Sequence, residues 1–196
     1  MKTLGIDTSN YTTSASVCAN GIIKENVRTG LEVSKGGVGL RQSDAVFAHI
    51  KNIPQLMKRL ESDISDIDAV GVSSKPRDAE GSYMPCFLSG VSVATSVARA
   101  LNVPLYEFSH QSGHIKAAMY SAGVNFDDTF YAYHLSGGTF ELLEVTPCDG
   151  GYAVKIIGGS RDVTAGQLID RIGVKLGLKF PCGAELEKLA NTFRSE

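Results

Sequence analysis

The chain has 196 residues, 43% of them hydrophobic, and a formal net charge of −2. This composition excludes a disordered chain and allows one good core or two small ones. The lysines and arginines are scattered along the sequence, so no basic block indicates that this chain binds a nucleic acid by itself.

The cysteines and the N-terminus bear on the compartment. The four cysteines lie far apart without a CxxC pair, which argues against a zinc ribbon and against a dense disulfide framework. No apolar run approaches the length of a signal peptide or a membrane span. We therefore expect a soluble, cytoplasmic protein with reduced thiols and no membrane partner.

The first part of the chain predicts a three-stranded meander followed by β-α-β units. Asn20-Gly21 is a strong two-residue hairpin signal between the second and third strands. After a glycine-rich loop, Ser43 or Asp44 is expected to cap a helix. This order implies a mixed sheet covered by helices. The predicted strands are 3–7, 14–19, 22–28, 68–73 and 105–108, with a second helix over 88–101.

The second part repeats the opening pattern. From Ile6 and again from His134, a strand ends in a Ser/Thr/Gly turn and continues as a second strand, so we interpret the two stretches as topological duplicates. We expect two domains, 1–108 and 109–196, the second being incomplete at its C-terminal side. Its predicted elements are strands 129–135, 139–145 and 153–157, an amphipathic helix over 164–178, a break at 181–183 and a charged helical end.

Two histidines follow the fifth predicted strand directly. The spacing of His110 and His114 places both imidazoles on one face of a helix, where two nitrogens can bind one transition-metal ion. In the alternative, one histidine caps the helix and the other packs against the sheet. Gln111 stands where a zincin protease has its glutamate base, which argues against that chemistry.

Two polar turns are candidates for gripping a phosphate chain from two sides. Ser136-Gly137-Gly138-Thr139 offers backbone amides and small hydroxyls, and Asp7-Thr8-Ser9 can orient a Mg²⁺-bound triphosphate. An ordinary tight hairpin explains either turn equally well. Asp170, among apolar neighbours in the predicted helix, needs a partner such as a ribose hydroxyl, unless it lies on a solvated face.

Four motifs, in this order, resemble the TsaD/Gcp (glycoprotease, M22-like) family: LGIDTSNYTTSASV, HQSGH after NVPLYEFS, HLSGGTFELLEV and AGQLIDRIGVKLGLKFPCG. The resemblance implies an α/β, actin-like ATPase (ASKHA, ribonuclease H-like) fold with duplicated mixed-sheet domains. It also implies transfer, with partner proteins, of a threonylcarbamoyl group from threonylcarbamoyl-AMP to N6 of adenosine 37 in tRNAs that read ANN codons.

The resemblance also assigns residues to sites. His110 and His114 match the family's two metal-binding histidines, which implies one iron or zinc ion. The implied nucleotide is ATP or an adenylate, with or without Mg²⁺. The residues matched to nucleotide or substrate contacts are Asp7, Thr8, Ser9, Leu135, Ser136, Gly137, Gly138, Thr139, Asp170 and Gly183.

The chain departs from the family pattern in several places. Lys75-Pro76-Arg77-Asp78 replaces a glycine-rich turn, Asn10 and Gln167 stand where acidic residues are usual, and SGGT lacks the family's histidine. The family's third metal ligand, an aspartate, belongs to a portion beyond these 196 residues.

Three functional hypotheses remain open: a TsaD-like transferase, a non-catalytic ASKHA scaffold comparable to TsaB, and a glycoprotease-type metallopeptidase. An incomplete second domain would expose apolar surface. We therefore expect a homodimer or heteromeric TsaB/TsaE-like partners, with tRNA bound through the complex.

Overall fold

The computed structural model describes residues 1–32, 40–135 and 138–193. The chain divides into two compact units, Met1–Val124 and Asn125–Glu196. The domain boundary predicted between residues 108 and 109 stays a prediction. The boundary between the two compact units lies further along the chain, after Val124, so the helix that carries both histidines belongs to the first unit.

A five-stranded mixed sheet with the order β3-β2-β1-β4-β5 forms the centre of the first unit. The two N-terminal hairpins are antiparallel, whereas β1, β4 and β5 run parallel to one another. Asn20 and Gly21 have φ values of 52° and 76°, as the predicted two-residue turn requires. The strands are β1 (Lys2–Asp7), β2 (Thr12–Ala19), β3 (Ile22–Gly30), β4 (Ala69–Lys75) and β5 (Leu105–Ser109).

Three helices accompany this sheet: α1 (Gln42–Arg59), α2 (Phe87–Leu101) and α3 (His110–Ala122). The predicted cap of α1 is wrong, because Arg41 is the N-cap and both Ser43 and Asp44 lie inside the first turn. An acidic residue in the first turn is favoured by the positive end of the helix dipole, and Asp44 also lies 3.5 Å from the Arg41 guanidinium.

The core of the first unit lies between the sheet and α2. Alternate residues of β1 and β4 point into it, and the small Ala94 and Ala98 let the helix approach the sheet closely. Each large apolar side chain that is fully buried here contributes about 1.5–3 kcal/mol. The buried cluster consists of Leu4, Ile6, Val17, Ile67, Val70, Val72, Ala94 and Ala98.

The second unit contains an antiparallel sheet with the order β6-β7-β8 and two helices. Its elements are β6 (Phe130–Leu135), β7 (Phe140–Cys148), β8 (Gly151–Gly159), α4 (Ala165–Lys175) and α5 (Gly183–Thr192). Thr164 caps α4 by accepting the Gln167 N–H. The helix ends three residues earlier than predicted, just before Gly177, whose φ of 81° is left-handed.

Two further observations concern the cysteines and the apolar character of the helices. Each of the four cysteines has a free thiol. Among the helices of the described residues, none has both the length and the apolar character needed to cross a bilayer.

Candidate functional site

Asp7, His110 and His114 meet at one edge of the first unit's sheet. Asp7 is the last residue of β1, and His110 directly follows β5. Because β1, β4 and β5 are parallel, their carboxyl ends share one edge, and this is where ligands bind in open α/β sheets. The sheet thus brings together residues 103 positions apart in sequence.

The two histidines lie one turn apart at the start of α3. Strand β5 passes into α3 without a loop, and the Ser109 hydroxyl caps the helix by accepting the Ser112 N–H at 3.0 Å. The imidazole centroids of His110 and His114 are 4.3 Å apart, and their Nε2 atoms are separated by 2.8 Å. The two Nε2 atoms are therefore joined by a hydrogen bond, and both rings turn the same nitrogen toward the space between them.

Asp7 determines which nitrogen of His110 carries a proton. The Asp7 Oδ2 atom lies 2.8 Å from His110 Nδ1, and it also accepts the Ser73 hydroxyl. Its Oδ1 atom accepts the Ser9 N–H at 2.7 Å. Because an ionised carboxylate can only accept, Nδ1 of His110 is the protonated nitrogen, and the lone pair of neutral His110 is on Nε2, facing His114.

The electrostatics keep this carboxylate ionised. Burial alone would raise the pKa of Asp7, but the hydrogen bond and charge attraction of His110 oppose that effect. Hydrogen bonds from Ser73 and Ser9 add to them, so the pKa lies well below its ordinary value. Asp7 is therefore a fixed acceptor at neutral pH.

The histidine pair fits part of a transition-metal site. Two convergent Nε2 atoms suit zinc or iron, and metal-bound histidines commonly donate their other N–H to a carboxylate, as His110 does to Asp7. Within 1–32, 40–135 and 138–193, no group of three His, Cys, Asp or Glu residues is placed to hold a metal ion. These residues supply two ligands and an orienting carboxylate, and a third protein ligand would have to come from elsewhere.

The opening turn makes hydrogen bonds within the fold. Thr8 is fully buried, and its hydroxyl donates to the Cys86 carbonyl at 2.9 Å and accepts the Gly90 N–H at 3.0 Å. Thr8 therefore ties the end of β1 to the start of α2. In this turn, Ser9 contributes a backbone N–H to Asp7, and Asp7 faces a histidine.

Ser73 and Asp78 support the site but were absent from the predicted residues. Ser73 lies near the carboxyl end of β4, beside β1. The polar end of the predicted strand 68–73 was therefore a sequence signal that could have identified Ser73. Asp78 accepts hydroxyls from residues 31 and 34 positions away. Its local sequence contains no sign of these contacts.

The second unit holds a separate cavity of about 380 Å³. Gly138 and Thr139, two of the predicted phosphate-binding residues, line it, whereas Ser136 and Gly137 lie outside the described residues. Leu135 ends β6 and is exposed. The other lining residues are Phe140, Glu141, Ile156, Gly158, Gly159, Ser160, Arg161, Asp162 and Thr164.

Asp170 and Gly183 lie at the connection between α4 and α5. The Asp170 carboxylate accepts the Cys182 N–H at 2.8 Å, immediately before α5 begins at Gly183. Gly173 packs so closely on Cys182 that a Cβ atom there would be 2.3 Å from the Cys182 Cβ. The partner that mid-helix Asp170 requires is thus found within the fold.

Comparison with known proteins identifies relatives over nearly the whole chain. The family model described as "TsaD: tRNA N6-adenosine threonylcarbamoyltransferase" matches residues 23–196. The tRNA N6-adenosine threonylcarbamoyltransferase of Ligilactobacillus salivarius is 32% identical over 96% of this chain. That of Thermosipho melanesiensis is 30% identical over 97%. The chain spans about half of these relatives, 54% and 57% of their respective lengths.

A solved structure supports the fold. A ROK family protein from Streptococcus pneumoniae, solved with sucrose, is similar with a TM-score of 0.55 at 12% identity, over 97% of this chain and 68% of that one. The predicted fold class, α/β and actin-like (ASKHA), is confirmed. Because the family model matches residues 23–196, the chain belongs to the TsaD family.

Proposed function

We propose that this chain supplies the metal-binding and nucleotide-binding part of a TsaD-type reaction, the transfer of a threonylcarbamoyl group to N6 of adenosine 37 in tRNA. The observation that carries the proposal is the arrangement of Asp7, His110 and His114 in a member of this family. A protein that served only as a scaffold would have no need for two convergent imidazoles with an ionised carboxylate behind one of them.

In this proposal the protein mainly positions groups. Asp7 holds the Nδ1 proton of His110, so that the lone pair of His110 is on Nε2, where it accepts a hydrogen bond from Nε2 of His114. A metal ion held by both rings would replace the proton between these two nitrogens. An iron or zinc ion bound there would act as a Lewis acid on the carbamoyl donor. The two rings fix where that donor can approach.

The cavity of the second unit is the proposed site for ATP or an adenylate, with or without Mg²⁺. Its wall includes Gly138, Gly158 and Gly159, where the absence of side chains lets a ligand approach the backbone closely. A Cβ atom at Gly159 would lie 2.8 Å from the Phe140 carbonyl, so this wall cannot take a larger residue without moving.

A non-catalytic scaffold comparable to TsaB is the second candidate. The small number of metal ligands favours this candidate, because the described residues contribute only two. The metallopeptidase is disfavoured, because Gln111 is buried, with 2% of its surface exposed, and has no carboxylate to serve as a base. In either of the first two cases we propose a cytoplasmic assembly, as a homodimer or with TsaB/TsaE-like partners, that binds tRNA.

Metal analysis tests the proposal. The chain is purified without chelators, and its iron and zinc are measured by mass spectrometry beside His110→Ala and His114→Ala. His134→Ala, a histidine of the second unit, is the matched control. We expect about one metal ion per chain in the wild type and the control, and a loss of most of it in the two variants. A wild-type protein without metal would exclude the catalytic proposal and favour the scaffold.

A further inference from the structure

We propose that Asp78 is a positioning residue for the histidine pair: its carboxylate anchors the first turn of α3 and thereby fixes where His110 and His114 point. The inference deepens the proposed function and rests on it for its catalytic consequence. The anchoring itself concerns contacts within the first unit.

The anchor consists of two hydrogen bonds to one oxygen. Oδ2 of Asp78 accepts the Ser109 hydroxyl at 2.8 Å and the Ser112 hydroxyl at 2.7 Å. Ser109 is the N-cap of α3, and Ser112 is in the same turn. Both serines are almost fully buried, with 1% and 6% of their surface exposed, so these contacts are protected from competing water.

The loop that carries Asp78 has a second contact with the same turn. The Gln111 N–H donates to the Pro76 carbonyl at 3.0 Å. His110 therefore lies between two residues, Ser109 and Gln111, that are each held by the loop after β4. Because both of its neighbours are held, His110 has little freedom to turn about the helix axis.

Charge strengthens the anchor. A carboxylate at the N-terminus of a helix is stabilised by the unpaired N–H groups there, and Lys75 lies 3.2 Å from Asp78 Oδ1. Burial would raise the pKa of Asp78, but the Ser112 and Ser109 hydrogen bonds and Lys75 outweigh it and lower the pKa. Asp78 therefore remains an ionised acceptor for both serines at neutral pH.

The experiment measures Co²⁺ binding and the NMR signals of the His110 ring, and does not rely on the stability of the protein alone. Asp78→Asn keeps the size of the side chain but removes its charge, and Ser112→Ala removes one donor. Co²⁺ is titrated into the metal-free 196-residue chain, and the ring nitrogens of His110 are observed by NMR in the same metal-free samples. Asp63→Asn is the matched control, because the Asp63 carboxylate is likewise a hydrogen-bond acceptor, here of the Ser65 backbone N–H at 2.9 Å, but precedes β4 instead of following it.

We expect Asp78→Asn to weaken Co²⁺ binding about tenfold or more, as removal of groups that orient metal ligands does elsewhere. Ser112→Ala should have a smaller effect in the same direction. The His110 Nδ1–H signal should broaden or move toward the value of a freely exchanging imidazole in both variants. Asp63→Asn should match the wild type in both measurements.

Two results would overturn the proposal. One is an Asp78→Asn protein whose Co²⁺ affinity and His110 signals equal those of Asp63→Asn, since Asp78 would then be no more than a helix cap. The other is a Ser112→Ala protein whose Co²⁺ affinity and His110 signals equal those of Asp63→Asn. This second result decides the matter if Asp78→Asn fails to fold. A wild type that binds no Co²⁺ would refute the proposed metal function but not the anchor, which the NMR signals of the metal-free protein then decide.

Discussion

At the scale of single residues, the polar groups of the first unit divide into those with local partners and those with distant ones. The histidine pair was predictable, because a spacing of four places two side chains on one helix face in any α-helix. The contacts of Asp7 with Ser73 and His110 and of Thr8 with Cys86 were not, since each partner lies more than 60 residues away in sequence. A turn rich in Ser, Thr and Asp is compatible both with phosphate binding and with the internal hydrogen bonds found here.

Replacing Asp7 by Asn should impair the histidine pair more than the fold. Asn preserves the shape of the side chain but not the negative charge that holds the Nδ1 proton of His110. We expect Zn²⁺ affinity, measured by competition with a chromophoric chelator, to fall about tenfold to a hundredfold. Asp66→Asn, which removes a surface partner of Lys2, is the control. Equal Zn²⁺ affinities in the two variants would contradict the orienting role.

His49 is a buried titratable residue beside the sheet. Its Nδ1 lies 2.8 Å from the Thr13 hydroxyl, and its Nε2 atom has no hydrogen-bond partner among the described residues. Burial lowers the pKa of His49, and the negative charge of Asp7 opposes this only in part. The imidazole is therefore neutral in the folded protein at neutral pH.

This burial predicts a pH dependence of stability. Between the lowered pKa of folded His49 and its ordinary value of about 6.5, the unfolded chain binds more protons, so stability falls as pH drops through this window. The slope for one proton is at most about 1.4 kcal/mol per pH unit. In urea denaturation at several pH values, His49→Gln should flatten the curve by up to that amount. Parallel curves for the two proteins would show that His49 does not titrate with folding.

At the scale of elements, strands and helices followed from hydrophobic pattern and turn residues, while their ends did not. The N-terminal hairpin was predicted correctly because Asn-Gly strongly favours the left-handed conformations it adopts. Helix α1 begins at Gln42, before both predicted caps, and its Arg41 N-cap makes no side-chain capping bond. Such an end depends on tertiary contacts and leaves no mark in the local sequence.

Two helical glycines provide a matched test of how α2 packs. A Cβ atom at Gly90 would lie 2.8 Å from the Thr8 hydroxyl oxygen, whereas one at Gly113 of α3 would meet nothing within 4 Å. By chemical denaturation, Gly90→Ala should therefore destabilise the protein by about 1–3 kcal/mol. Gly113→Ala should stabilise it by up to about 1 kcal/mol through helix propensity. Similar effects at both positions would contradict the close approach of α2 to Thr8.

At the scale of the whole molecule, the two units differ in how well they are packed. Both clusters of buried apolar side chains found among the described residues belong to the first unit. Among the described residues of the second unit, the buried apolar side chains are Leu143, Val145 and Cys182. Four apolar residues of α4 are exposed instead: Leu168, Ile169, Ile172 and Val174.

Hydrogen exchange should therefore separate the two units. Amides of β1 and β4 lie in the centre of the larger sheet and its core, so we expect their exchange to be the slowest in the protein. Amides of β7, the central strand of the smaller sheet, should exchange faster. Mass spectrometry of peptides from 2–7 and 69–75 against 140–148 measures this difference, and equal protection would contradict it.

The contact between Asp7 and His110 has a consequence for the order of folding. The two residues are 103 positions apart, with Asp7 in the first strand and His110 at the start of the last helix of the first unit. During synthesis the carboxylate is made long before its imidazole partner, and it must stay hydrated until α3 emerges from the ribosome. Contacts between such distant residues form late, because closing the intervening chain costs entropy. We therefore expect the histidine pair to assemble in the step that completes the fold, so that a nascent chain has no ordered pair of imidazoles until the first unit is finished.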